Sequence, residues 1–282
     1  MDPFPAAVGR DSDEPETVED SEGETTEDRQ TPESDEETAD TEGHVCDPQI
    51  QSRASSSDAA SITPISFDEG TTMTLTPTML REYDREAPAP RETETATFAL
   101  GCFWGPEAQF GALEGVVRTR VGYAGGTKRN PTYHALEDHT EVFQVDFDPA
   151  VISYADLLEQ VFQSHNPRHQ SRNTQYQNIV FAATPGQREV LDQFLADKEY
   201  SDDAIETRIE QLGEFYLAEE YHQKHSLQSR PGLADAFETA DYNNAELRES
   251  PAAAKLNGHA GGHTLPEDDD LATIVGGTSR GR

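Results

Sequence analysis

The chain has 282 residues with 55 acidic against 21 basic side chains, a formal net charge of −34, and only four of its cations are lysine. A surface of that sign repels a phosphate backbone or an anionic lipid headgroup, so nucleic acid and membrane are excluded as partners. Excess carboxylates with few lysines suit concentrated salt, where charge repulsion is screened within about 3 Å at 1 M; a salt-adapted, cytoplasmic protein is expected.

Residues 1–72 hold 21 Asp/Glu and 3 Arg. Such a segment buries too little apolar area to offset chain entropy, so a disordered acidic segment is expected there. Met73 opens a more ordinary sequence and is a candidate start, in which case Cys46 is absent from the natural protein. Residues 73–94 read as an extended lead-in. No apolar run approaches the roughly 20 residues that cross a bilayer, and the N-terminus lacks the basic and apolar regions of a signal peptide.

From residue 95 the pattern is regular. "TATFALG" reads as a buried strand ending at Gly101, and "GPEAQFGALEG" as a helix with Pro106 in its first turn. "VVRTRVGY" alternates, with Val117, Thr119, Val121 and Tyr123 on one face. "GYAGGTKRNPTYHALEDH" is a long loop. "TEVFQVDF" alternates again, and "SYADLLEQVFQSH" is a helix capped by Ser153, with Tyr154, Leu157, Leu158, Val161 and Phe162 on one stripe. "NPRHQSRNTQYQ" is loop, "NIVFAAT" strand, "PGQREVLDQFLADKEY" helix, "AIETRIEQL" strand, and "AEEYHQKHSLQS" helix up to Pro231. Strand, helix, strand, strand, helix, strand predicts an α+β fold: a ferredoxin-like, split βαβ two-layer sandwich with additional helices. Residues 95–240 are expected to form this folded domain, the candidate catalytic domain. Residues 241–282 are expected to be a short helix near 245–256 and then an acidic, Gly-rich tail.

Cys102, in "GCFWG", lies between a buried strand and a helix N-terminus, where backbone amides and the helix dipole favour a thiolate. Cys46 and Cys102, 56 positions apart, make neither a disulfide framework nor a CxxC metal knuckle, so a free thiol is expected. Phe103 and Trp104, the only tryptophan, supply an apolar wall beside it. Glu141 shares a strand face with Phe143, Val145 and Phe147. If those point into the core, its carboxyl is desolvated and holds a proton near neutrality. A thiolate and a protonated acid are what reduction of an X=O bond requires. Tyr133 and Tyr176, both in loops, are candidate donors to the oxygen.

These residues resemble the A-type peptide methionine sulfoxide reductases. The signature is "GCFWG", supported in order by "GYAGG", "NPTY", "DHTEVFQVDFDP", "TQY" and "FYLAEEYHQKH"; with the acidic composition, a haloarchaeal member is suspected. The resemblance implies that Cys102 attacks the sulfur of methionine S-sulfoxide, free or in proteins, and becomes a sulfenic acid. Glu141 would protonate the oxygen, Tyr133 and Tyr176 would hold it, and Phe103 and Trp104 would enclose the S-methyl group. No bound cofactor or metal is implied, the partners being oxidised proteins or free methionine sulfoxide and an external thiol reductant (thioredoxin or a small thiol), with the chain a monomer. The family's "GNDxGTQY" is "QSRNTQY" here: Ser171 replaces an acid among the substrate-binding positions, and Asn173 replaces a glycine. No cysteine follows Cys102, so recycling falls to the external thiol or to Cys46. Two other classes compete. One is a non-catalytic binding module; the other is a zinc protein using His165, His169, His222 and His225.

Overall fold

Alternating apolar residues build the sheet at the centre of the computed structural model, which describes residues 75–200 and 204–276. Strands β1 (Glu94–Leu100), β2 (Val116–Ala124), β3 (Thr140–Phe147) and β4 (Asn178–Ala182) lie in the order β4-β1-β3-β2, each neighbouring pair antiparallel. β5 (Arg208–Gln211) extends one edge parallel to β4, and β6 (Tyr216–Leu217) extends the other antiparallel to β2. Helix α2 (Trp104–Gly111) follows β1, α3 (Tyr154–Gln163) follows β3, and α4 (Pro185–Asp197) follows β4. The expected α+β architecture is therefore present, while the expectations for residues 1–72, Met73 and Cys46 lie outside the described residues.

The register brings the apolar faces together. Ala96 pairs with Val145, Phe98 with Phe143, and Tyr123 with Glu141. Phe98, Val121, Tyr123, Phe143, Val145 and Phe147 form one core with Phe110 of α2 and with Leu157, Leu158 and Val161 of α3. The α3 stripe thus faces the sheet as its spacing predicts. Ser153 caps that helix: its hydroxyl accepts from the Asp156 N–H, and the Asp156 carboxylate accepts from the Ser153 N–H, satisfying two helix-terminal donors.

Three expectations need correction. Residues 77–86 are not extended: Pro77–Glu86 form helix α1, opened by Thr76, whose hydroxyl accepts from Met79 N–H. The continuous helix expected over "AEEYHQKHSLQS" is broken into a 3-10 turn, Glu220–His222, and the short helix α5 (His225–Gln228). The break is at Lys224, whose φ of 52° is left-handed. The C-terminal segment is not a tail up to residue 276. After helix α6 (Pro231–Thr239), helices α7 (Asn244–Glu249) and α8 (Pro251–Ala260) cover the short helix expected near 245–256, and α9 (Asp270–Gly276) stands where tail was expected. Their Phe237, Leu256, Leu271 and Ile274 make a second core with Leu80 of α1 and Leu227 of α5.

A buried ion pair explains the break at Lys224. Its Nζ lies 2.9 Å from Glu107 Oε1 and donates also to the carbonyls of Thr119 and Arg248, while its backbone N–H donates to Glu107 Oε2. Both side chains are fully shielded from solvent. Desolvation of two charges is offset only when each is richly hydrogen-bonded, and the left-handed turn aims both the amide and the ammonium of Lys224 at one carboxylate. This pair anchors α2, the helix behind the cysteine, to the C-terminal part of the chain. α8 crosses α2 at glycine contacts: a Cβ on Gly111 would lie 2.5 Å from the Ala254 carbonyl oxygen, and one on Gly258 would lie 2.8 Å from that of Ala108.

Candidate active site

The chain leaves β1 through Gly101, whose φ of +69° is strained for any residue with a side chain, and this turn sets Cys102 in front of α2. Cys102 is half-buried and its sulfur is in a disulfide, which corrects the expectation of a free thiol.

Glu141 lies beneath this turn. It is wholly buried and faces the core with Phe143, Val145 and Phe147, as the strand alternation predicts. Its Oε2 accepts from the Phe103 backbone N–H at 3.1 Å, the amide that follows the cysteine. Its Oε1 accepts from Gln175 Nε2 at 2.8 Å. Burial raises its pKa from 4.5 to about 7, against the pull of the Gln175 and Phe103 donors, which favour the carboxylate. A proton is therefore held, and can be released, near neutrality.

The apolar wall is also present. Phe103 is fully buried against Tyr123, with ring centroids 6.1 Å apart. Trp104 is half-buried and stacks on His225 at 3.5 Å between centroids, nearly parallel. Its indole N–H donates to His222 Nδ1 at 3.2 Å. Burial lowers the His222 pKa to about 4, so the ring is neutral, and with Nδ1 accepting, its proton sits on Nε2. His222 and His225 thus serve the tryptophan instead of a shared metal, and His165 spends both ring nitrogens on Val161 O and Thr207 Oγ1. Among the described residues no cluster of three or more metal-ligating side chains occurs.

The two loop tyrosines converge. Burial raises the Tyr133 phenol well above its ordinary pKa, and the neighbouring Tyr176 hydroxyl and Glu141 carboxyl push in the same direction. Glu219 holds Tyr133 in place: one carboxylate oxygen accepts from the Tyr133 N–H at 2.9 Å, the other from the Tyr123 hydroxyl at 2.7 Å. Ser171 stands one step back. Its hydroxyl accepts from the Asn173 N–H within the loop rather than bonding to Glu141.

Sequence reasoning assembled Cys102, Phe103, Trp104, Glu141, Tyr133 and Tyr176, and the structure brings these together. It missed Gln175, Glu219 and the role of His222. Gln175 stands in the quoted "TQY" and Glu219 and His222 in "AEEYHQ", so the motif itself was the available signal. A separate cavity of about 340 Å³, lined by Tyr83, Val117 and Lys255, shares no residue with this site.

A cysteine sulfur before a helix N-terminus and beside a buried, proton-holding carboxyl fits a thiol-dependent oxidoreductase. The family model for peptide methionine sulfoxide reductase matches residues 94–252. The peptide methionine sulfoxide reductase A5 of Oryza sativa subsp. japonica is 44% identical over 183 residues, 62% of this chain and 70% of that protein. Peptide methionine sulfoxide reductase MsrA of Haloquadratum walsbyi is 43% identical over 141 residues, 46% of this chain and 81% of that protein. Among solved structures, methionine sulfoxide reductase A of Corynebacterium diphtheriae matches at 33% identity and a TM-score of 0.42, over 50% of this chain and 76% of its own. The chain belongs to the A-type peptide methionine sulfoxide reductase family, and its activity is thiol-dependent reduction of methionine sulfoxide in proteins.

Proposed function

We propose that Cys102 is the nucleophile and Glu141 the proton donor of this reduction. Reduced Cys102 attacks the sulfoxide sulfur as a thiolate. The sulfoxide oxygen takes the Glu141 proton and passes to the cysteine as sulfenic acid, while the substrate sulfur gains two electrons and leaves as a thioether. Tyr133 and Tyr176 hold the oxygen, and Phe103 and Trp104 enclose the methyl group. The observation that carries this reading is the bond from Phe103 N–H to Glu141 Oε2, which sets a proton-holding acid one residue from the thiol. Ser171 supports the loop and does not touch substrate.

The S epimer is the expected substrate, and an external dithiol, thioredoxin or a small thiol, returns Cys102 to the thiol. The strand order and antiparallel pairings support the ferredoxin-like, split βαβ reading of β1–β4. A monomer working in a salt-rich cytoplasm fits the charge. Two of the four lysines, Lys224 and Lys255, are buried, so the surface is poorer in lysine than the composition alone suggests.

The test is turnover of each methionine sulfoxide epimer in molar KCl with excess dithiothreitol, beside Cys102→Ser. Turnover of the S epimer, abolished in the variant, is expected. Absence of turnover by folded protein would refute the proposal and favour a binding module.

A further inference from the structure

The loop between α3 and β4 is tied at its neck, along its interior and to β3, and the ties converge on one side chain. Gln170 closes the neck: its Oε1 accepts from the Ser171 and Asn178 N–H groups, and its Nε2 donates to the carbonyls of Asn178 and Glu206. Inside the loop, Ser171 Oγ accepts from Asn173 N–H at 3.1 Å, and Asn173 Oδ1 accepts from Gln175 N–H at 3.1 Å. These two short side chains fix the backbone turn that enters the 3-10 segment Thr174–Tyr176. Thr140 Oγ1 donates to the Thr174 carbonyl at 2.7 Å and fastens that segment to β3 one residue before Glu141. Gln175 is thereby delivered to the carboxyl, 2.8 Å from Oε1.

Ser171 and Asn173 are also two of the four positions at which the chain departs from "GNDxGTQY". Neither touches Cys102 or Glu141 in the hydrogen bonds just described. Both act on the backbone that aims Gln175.

We propose that Gln175 is the positioning residue of Glu141, aimed by the Ser171–Asn173 turn, and that it sets both the orientation of the carboxyl and its readiness to release a proton. An amide donor binds a carboxylate more strongly than a neutral acid, so Gln175 opposes the effect of burial. Without it the acid would hold its proton more tightly and give it up less readily at neutral pH, where a donor works best with a pKa near the ambient value. The kinetic part of this inference rests on Glu141 being the proton donor; the titration part does not.

The experiment titrates the reduced full chain by difference infrared spectroscopy, the Glu141 carboxyl band being the one missing from Glu141→Gln. The companion measurement is the pH profile of single-turnover reduction of a methionine sulfoxide peptide. Gln175→Met, which keeps the bulk and loses the donor, is expected to raise the Glu141 midpoint by about one pH unit, the effect of one charge-assisted hydrogen bond. The alkaline limb of the rate profile is expected to move up with it. Asn173→Ala is expected to move both in the same direction by less, and it carries the test if Gln175→Met does not fold.

A midpoint that stays put in the folded variant overturns the proposal, including when the rate falls uniformly at every pH, as a merely structural residue would give. A midpoint that moves while the rate limb stays fixed upholds the positioning of Glu141 and refutes its role as proton donor.

Discussion

Replacing Glu141 by glutamine should stabilise the protein in alkaline solution while removing its acid. Glu141 is wholly buried, and burial raises its pKa from 4.5 to about 7. The interval between those values, at about 1.36 kcal/mol per pH unit, corresponds to about 3 kcal/mol. The folded state binds this proton more tightly than the unfolded chain does. Its contribution is therefore fully present below pH 4.5, falls as pH rises between the two values, and is lost above about 7. Urea unfolding of the parent and of Glu141→Gln, at pH 5 and pH 8.5 with excess dithiothreitol, isolates it. Any pH-independent effect of the amide cancels in the difference between the two conditions. The variant should gain about 2.5 kcal/mol on the parent between pH 5 and 8.5, the share of the total that falls in this window. Parallel pH dependences of the two proteins would refute the assignment of Glu141 as a buried acid held protonated near neutrality.

Lys224→Met leaves Glu107 buried without its cation and should cost about 3–5 kcal/mol in denaturant unfolding; adding Glu107→Gln should recover part of that loss, and strict additivity would show that the two do not interact. Gly258→Ala forces a Cβ into the α2 backbone and should cost about 1–3 kcal/mol, so an unchanged melting temperature would mean that the helices separate freely. His222→Phe keeps the ring but removes the acceptor of the Trp104 indole N–H. The emission of this sole tryptophan should change and KM should rise several-fold with a smaller effect on kcat; an unaltered spectrum and KM would show that His222 does not set the indole.

The strands and their faces were legible because alternation of side-chain type is a local signal, even though both faces of β2 and β3 are buried. Glu141 was placed on its strand face by the three apolar residues that follow it at alternate positions, and Cys102 by the break from strand to glycine. The Thr-Pro opening of α1 was equally local, yet its single buried residue, Leu80, gave too thin a stripe to outweigh the surrounding polar residues. What the sequence pattern concealed depends on partners far along the chain. Helical spacing in "AEEYHQKHSLQS" is real, but Lys224 abandons it for Glu107, 117 positions away. Gln223 likewise turns its side-chain amide to β2, where it accepts from the Val121 N–H and donates to the Val121 carbonyl, as a neighbouring strand would. Gln175 was unreadable for the same reason: its importance lies in where a loop delivers it.

The glycine-lined crossing of α2 and α8 bears on how the protein is made. Gly111 and Pro251 stand 140 positions apart, so a ribosome releases the helix behind Cys102 long before the helix that covers it. Until α5 arrives Glu107 has no lysine, and until α8 arrives one side of α2 is open to water. The wall beside Cys102 is completed by the same stretch, since His225 stacks on Trp104 and His222 accepts from its indole N–H. The candidate site is thus assembled from an early segment and a later one, more than a hundred residues further along the chain.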